Sequence, residues 1–287
     1  MGIFDAIMQG IVQGAAEFLP ISSSGHLSLY QHFTGNSGET GVVFSVLLHF
    51  GTLAATVIAF RKTIWEIIKE FFRAIADIFR GKFSFKNMPP MRRMICLIAV
   101  SLIPLLLSLP LKDYIEGLSM DDSILVEGIC FLITSALLFM SDRVRKGKTN
   151  ASNMNYRNAA TIGVAQVLAT MPGISRSGST ISTGLMVGLS REFAVEYSFI
   201  LGLPAVLGGT IITIPDAIEE GAASGWGAMI VGMLFALIVG LLAIRAVKWL
   251  VNKNKFKIFA YYTLVIGIIS TAIGIYELIS GNKITIG

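Results

Sequence analysis

The sequence predicts an all-α polytopic membrane protein in which six transmembrane helices and two re-entrant helical hairpins form an inverted-topology repeat. Three observations predict it. Of the 287 residues, 54% are hydrophobic and only 14% charged, with a mean hydropathy of +0.71, too apolar a balance for a soluble domain of this length. Six apolar runs, at roughly 42–60, 92–111, 122–140, 192–215, 226–250 and 257–279, each approach the length of about 20 residues that a helix needs to cross a bilayer. The stretch Gly10 to His26 returns at an offset of 153 residues as Gly163 to Ser179, with 7 of 17 positions identical. Composition alone gives roughly one match.

In chain order, the apolar stretch 3–19 stops at Pro20 and resumes after a Ser/Gly-rich turn, too short on either side to span. Pro ends a helix, and a broken helix at membrane depth is tolerated only where protein or a water-filled cavity surrounds it. Residues 1–41 therefore read as a re-entrant hairpin. The first span, 42–60, leads into 63–80, where apolar and charged residues alternate at helical spacing, the pattern of a helix lying along the interface. Spans 92–111 and 122–140 follow, the first kinked at Pro104. The stretch 158–171 stops at Pro172-Gly173 and makes 158–191 the second hairpin. Ser190 is an N-cap candidate for span 192–215, with Glu192 in its first turn. Pro204 kinks that span, and 226–250 and 257–279 complete the set.

Of the 23 Lys and Arg, 19 fall in the loops 61–93, 141–157 and 245–257, whereas 112–121 carries one and 216–225 none. The positive-inside rule makes the first three loops cytoplasmic and the other two external. Hairpin 1–41 then enters from outside and hairpin 158–191 from the cytoplasm. Each repeat is one hairpin plus three spans, about 1–141 and about 158–280 of a single membrane domain, and an odd number of spans inverts the second copy. The sites of inverted-repeat membrane proteins lie where such broken helices meet near the midplane. The net charge of +5 is a topology signal and not the clustered patch of a nucleic-acid binder. Cys96 and Cys130 lie within apolar runs and read as buried thiols. The first basic residue is Arg61, so the N-terminus lacks a signal peptide's basic region and is expected to be retained.

The chemistry gathers on the two turns. Ser22-Ser23-Ser24-Gly25-His26 and Ser175-Arg176-Ser177-Gly178-Ser179-Thr180 each run into the start of a helix. Free N–H groups and the positive end of the helix dipole make such a start an anion site. Arg176 adds a fork that matches phosphate oxygens, so two facing turns form a cradle for a diphosphate. Gln13 and Glu17 share one helix face at i and i+4, a sparse oxygen set suited to a divalent cation. His26 is a general acid or base and Ser23 a nucleophile that it activates. His32 and His49 read as satisfied structural groups, and an intramembrane ion pair is the plain alternative for Glu17 and Arg176.

At these residues the chain resembles the undecaprenyl-diphosphate phosphatase family, also called the bacitracin-resistance proteins. The resemblance covers essentially the whole chain. The family's (E/Q)xxxE pair, Pro and Ser-Ser-x-Gly-His turn stand here as Gln13, Glu17, Pro20, Ser22, Ser23, Ser24, Gly25 and His26. Its PGxSRSxxT motif stands as Pro172, Gly173, Ser175, Arg176, Ser177 and Thr180. The resemblance implies removal of the terminal phosphate of undecaprenyl diphosphate, which recycles the lipid carrier of cell-wall synthesis and underlies bacitracin resistance. It also implies a magnesium or calcium ion at Glu17, with Gln13 in place of a second carboxylate. The enzyme is expected in the bacterial plasma membrane, with its site open to the extracytoplasmic face. Glu17, Ser23, His26 and Arg176 are the catalytic candidates; Gln13, Ser22, Ser24, Gly25, Gly173, Ser175, Ser177 and Thr180 are the substrate-binding ones. A homodimer is an expectation the sequence leaves open. The rival is a secondary transporter for an anionic solute or for the lipid monophosphate, since inverted repeats with broken helices also build transporters. Ser23 is preferred over His26 as the nucleophile.

Overall fold

The computed structural model describes residues 2–34, 41–85, 88–111, 123–220 and 226–285. Among them it is all-helical: α1 (Ile3–Phe18), α2 (Ser23–Thr34), α3 (Val42–Ala59), α4 (Arg61–Phe79), α5 (Pro90–Ser108) with a 3-10 turn at Leu109–Leu111, α6 (Leu125–Asp142), α7 (Tyr156–Leu168), α8 (Arg176–Met186), α9 (Arg191–Glu220), α10 (Trp226–Asn252) and α11 (Lys257–Ser280). Six of these, α3, α5, α6, α9 as far as Pro215, α10 and α11, are long and apolar enough to cross a membrane. They coincide with the six apolar runs to within a few residues, and the chain is a multi-pass membrane protein. The loop 112–121, expected to be external, lies outside the described residues, as does 221–225 of the loop expected at 216–225.

The remaining stretches form the expected breaks. Helices α1 and α2 have 16 and 12 residues, α7 and α8 have 13 and 11, each short of a full crossing. The first pair parts at Leu19–Ser22, where Pro20 offers no N–H and Ser22 takes a left-handed φ of 73°. That conformation is uncommon for a residue with a Cβ and turns the chain sharply into α2. The second pair parts at Thr170–Ser175, with Gly173 at φ 88°, a value glycine adopts freely. Ser190 caps α9 as expected, accepting the Phe193 N–H at 3.3 Å.

Small residues bring the hairpins onto the spans. Gly10 and Gly14 of α1 abut the backbone of Gly232 and Ala236 on α10, and Gly163 of α7 abuts Ser101 on α5. In an apolar solvent such close backbone contact supplies the packing that a hydrophobic drive supplies in water. The first helix of each hairpin thus lies on a span from the other half of the chain. Gly128 of α6 and Gly267 and Gly274 of α11 close a third such seam. Phe18 at the end of α1, Phe60 at the end of α3 and Phe199 of α9 pack edge to face. Helix α4 presents Trp65, Ile68, Phe71 and Phe72 outward. Its inner face is held to α5 by Arg92, whose Nη2 lies 2.7 Å from both Glu70 and Asp77.

Candidate active site

The two breaks meet. A Cβ on Gly25 would fall 2.9 Å from the Cα of Gly173 and 2.7 Å from the Phe131 ring, so these two glycines let the turns touch. Ser177 Oγ reaches across and donates to the Leu19 carbonyl at 3.2 Å. Glu17, at the end of α1, becomes the hub of the junction. One carboxylate oxygen accepts from Arg176 Nη2 at 2.9 Å. The other accepts from Ser23 Oγ at 2.7 Å and from Gln13 Nε2 at 3.1 Å. The hydroxyl of one hairpin and the guanidinium of the other therefore both contact the Glu17 carboxylate, and the ion pair weighed for Glu17 and Arg176 is present.

The room for Arg176 is made by α9. A Cβ on Gly202 would strike its guanidinium, so any larger residue there displaces the fork. Glu17 and Arg176 line a cavity with Thr52 and Thr56 of α3 and Gly202 and Val206 of α9, and its volume is about 10 Å³, room for about one water. Val206 also lines a second, larger space of about 460 Å³ between α3, α5 and α9, walled mainly by apolar residues such as Leu102, Leu105, Leu106 and Ile212, with Ser45, His49 and Thr170 among its polar groups.

His26 departs from its expected partner. Its Nδ1 lies 2.7 Å from the Ser22 carbonyl oxygen, and its Nε2 lies 2.8 Å from the Tyr262 hydroxyl. A carbonyl only accepts, so Nδ1 carries the proton and Nε2 of the neutral ring accepts from Tyr262. Both nitrogens are engaged, and the ring stacks beside Tyr262 and against Phe131. The base that Ser23 actually meets is Glu17. The reason is the break: the side chain of a helix's first residue leans back over the preceding turn, which carries Ser23 Oγ to the end of α1. His26, one turn on, leans back over Ser22.

The other candidates divide. Ser22 and Ser24 share a hydroxyl contact of 3.3 Å, and Ser22 Oγ also accepts the Gly25 N–H. Ser175 is the N-cap of α8, accepting the Gly178 N–H at 3.0 Å. Thr180 donates to the Arg176 carbonyl at 2.8 Å. These hydroxyls, like that of Ser177, hold the turns in shape and are not turned into the cavity of Glu17 and Arg176. Gly25 and Gly173 contribute close approach. Sequence reasoning missed Gly202 and Tyr262 and set His49 aside as structural. His49 is near enough to Glu17 to bear on its carboxylate electrostatically.

Glu17 and Gln13 are the residues that would hold the expected magnesium or calcium ion. Glu17 is the one carboxylate lining the cavity; both of its oxygens are engaged by Arg176, Ser23 and Gln13.

Residues 6–269 match the family described as bacitracin resistance protein BacA. The chain belongs to this family. It is 40% identical to the undecaprenyl-diphosphatase of Methanosphaera stadtmanae over 96% of this chain and 99% of that protein. It is 38% identical to that of Alkaliphilus metalliredigens over 93% and 97%, and 37% identical to that of Methanobrevibacter smithii over 94% and 96%.

Proposed function

We infer that the chain is an integral membrane phosphatase that hydrolyses undecaprenyl diphosphate to undecaprenyl phosphate and inorganic phosphate, returning the carrier to cell-wall synthesis and so conferring bacitracin resistance. The observation that carries the reading is the Ser23–Glu17–Arg176 contact across the two broken helices. A hydroxyl held 2.7 Å from a carboxylate is a nucleophile with its base in place, and a guanidinium beside it supplies the positive charge that phosphoryl transfer requires.

Ser23 Oγ attacks the terminal phosphorus as Glu17 takes its proton. The new Oγ–P bond forms while the anhydride P–O bond breaks, and the lipid monophosphate leaves with the bonding pair. Arg176, drawn from Glu17 to the phosphate oxygens, stabilises their charge. Water then attacks the phosphoserine, inorganic phosphate departs, and Oγ regains a proton. A divalent cation would be held by Glu17, with Gln13 beside it, and would add positive charge at the phosphate oxygens. The apolar groove beside the cavity suits the polyprenyl tail.

The two hairpins are re-entrant and the halves of the chain inverted repeats, a reading supported by the swapped packing of α1 on α10 and α7 on α5. The site opens to the extracytoplasmic face of the plasma membrane. The groove supports this, because it is lined by the halves of α3, α5 and α9 remote from the basic loops. Phosphate release from detergent-solubilised protein tests the function. A transporter needs a membrane and a gradient; the phosphatase needs neither. Absence of release from folded protein supplied with undecaprenyl diphosphate would overturn the reading.

A further inference from the structure

The offset that relates the hairpins continues into the spans that follow them. Val42, Ser45 and Leu48 of α3 fall on Val195, Ser198 and Leu201 of α9 at 153 residues, and His49 falls on Gly202. The two positions are filled in opposite ways. In one half, the long Arg176 crosses from the hairpin and lies against Gly202, which has no side chain to obstruct it. In the other half, the hairpin residue at the same offset is the short Ser23, and the helix residue is an imidazole. One large nitrogen-bearing side chain is thus contributed by each half, once from the hairpin and once from the helix, with Glu17 close to both.

The His49 ring is held in a defined orientation. Its Nδ1 lies 2.8 Å from the Ser45 carbonyl oxygen, an acceptor only, so Nδ1 donates and Nε2 is the nitrogen that can meet a ligand. Thr52 and Thr56, one and two turns inward along α3, line the cavity of Glu17 and Arg176, whereas His49 lines the apolar groove. It therefore stands where the groove enters the site. The phosphate that carries the lipid must lie nearest the groove, and the terminal phosphate nearest Arg176 and Ser23.

We propose that His49 is a substrate-binding residue whose Nε2–H donates to the lipid-side phosphate of the bound diphosphate. This rests on the phosphatase reading. With one nitrogen donating to the Ser45 carbonyl and the other to the phosphate, the ring is fixed between its own helix and the ligand. The charged group that acts on it is Glu17; α5 and α9 line the groove with uncharged side chains.

The test uses the full chain in detergent, undecaprenyl diphosphate as substrate and phosphate release as readout, for wild type, His49→Leu and His49→Gln, each confirmed monodisperse. His49→Leu is expected to raise KM by about tenfold or more, because it removes a donor to the phosphate that carries the lipid, and to lower kcat/KM by at least as much, because charge grows on that phosphate as it leaves. His49→Gln keeps an N–H donor and is expected to restore most of the lost KM. A wild-type KM in His49→Leu overturns the proposal, as does an equal loss of kcat in both variants at unchanged KM, the signature of a structural role. A wild-type protein that releases no phosphate overturns the phosphatase reading and this proposal with it.

Discussion

Replacing Gly202 with alanine should disable the site without touching any group that takes part in the chemistry. An added Cβ would lie 2.8 Å from Cζ of Arg176 and closer still to Nη1. Carbon atoms rest at about 3.5–4.0 Å, so the guanidinium must retreat by roughly 1 Å. The Arg176–Glu17 contact of 2.9 Å does not survive such a shift, and neither does alignment with the phosphate. Misplacement of about 1 Å costs on the order of 10²-fold in rate, so kcat/KM should fall by about 10²-fold, or about 2.7 kcal/mol. The fold should hold, since alanine is the better helix former by about 1 kcal/mol and a long side chain can move aside. Gly227→Ala on α10, where a Cβ meets nothing within 4 Å, is the control, and phosphate release in detergent is the assay. If the effect runs through Arg176, Gly202→Ala adds nothing in an Arg176→Ala background. Activity within about threefold of wild type, or a full loss added to that of Arg176→Ala, would refute the reasoning.

Arg176→Lys keeps the charge but not the fork, and kcat/KM should drop by more than about tenfold; near-normal turnover would reduce Arg176 to a counter-ion. Ser23→Ala should remove essentially all turnover, and acid quench with terminal-phosphate-labelled substrate should place label on Ser23. Label on His26, or a Ser23→Ala enzyme within about tenfold of wild type, would refute the serine route. A single cysteine at Leu118, in a chain lacking Cys96 and Cys130, should react with an impermeant reagent in intact cells. Reaction only after permeabilisation would sink the inverted arrangement.

The spans were legible because crossing a bilayer imposes a length of apolar sequence that little else imitates. The hairpins were legible because Pro20 and Pro172-Gly173 interrupt stretches too short to cross. The repeat singled out Glu17, Ser23 and Arg176 because both broken turns carry one motif, and the structure adds their meeting at Glu17. Spacing along the chain failed where the chain turned. Ser23 and His26 lie three apart on one face of α2, but Ser23 is its first residue and leans back across the break to Glu17, whereas His26 is held by the Ser22 carbonyl and Tyr262. No local pattern marks Gly202 either, because its signal is an absence of side chain that matters only once Arg176 is known to lie against it.

The contact that best identifies the site also closes it. A cavity of about 10 Å³ holds no diphosphate, and the guanidinium that should grip phosphate grips Glu17 instead. An unpaired charge at membrane depth is expensive, so carboxylate and guanidinium neutralise each other until an anion arrives. On the proposed mechanism the diphosphate competes with Glu17 for Arg176, and its success does two things together. It brings the guanidinium to the phosphoryl oxygens and releases Glu17 from its counter-ion, which makes the carboxylate a stronger base for the Ser23 proton. Substrate binding and activation of the nucleophile are thereby one event, and a site with a single acid and a single arginine suffices for both.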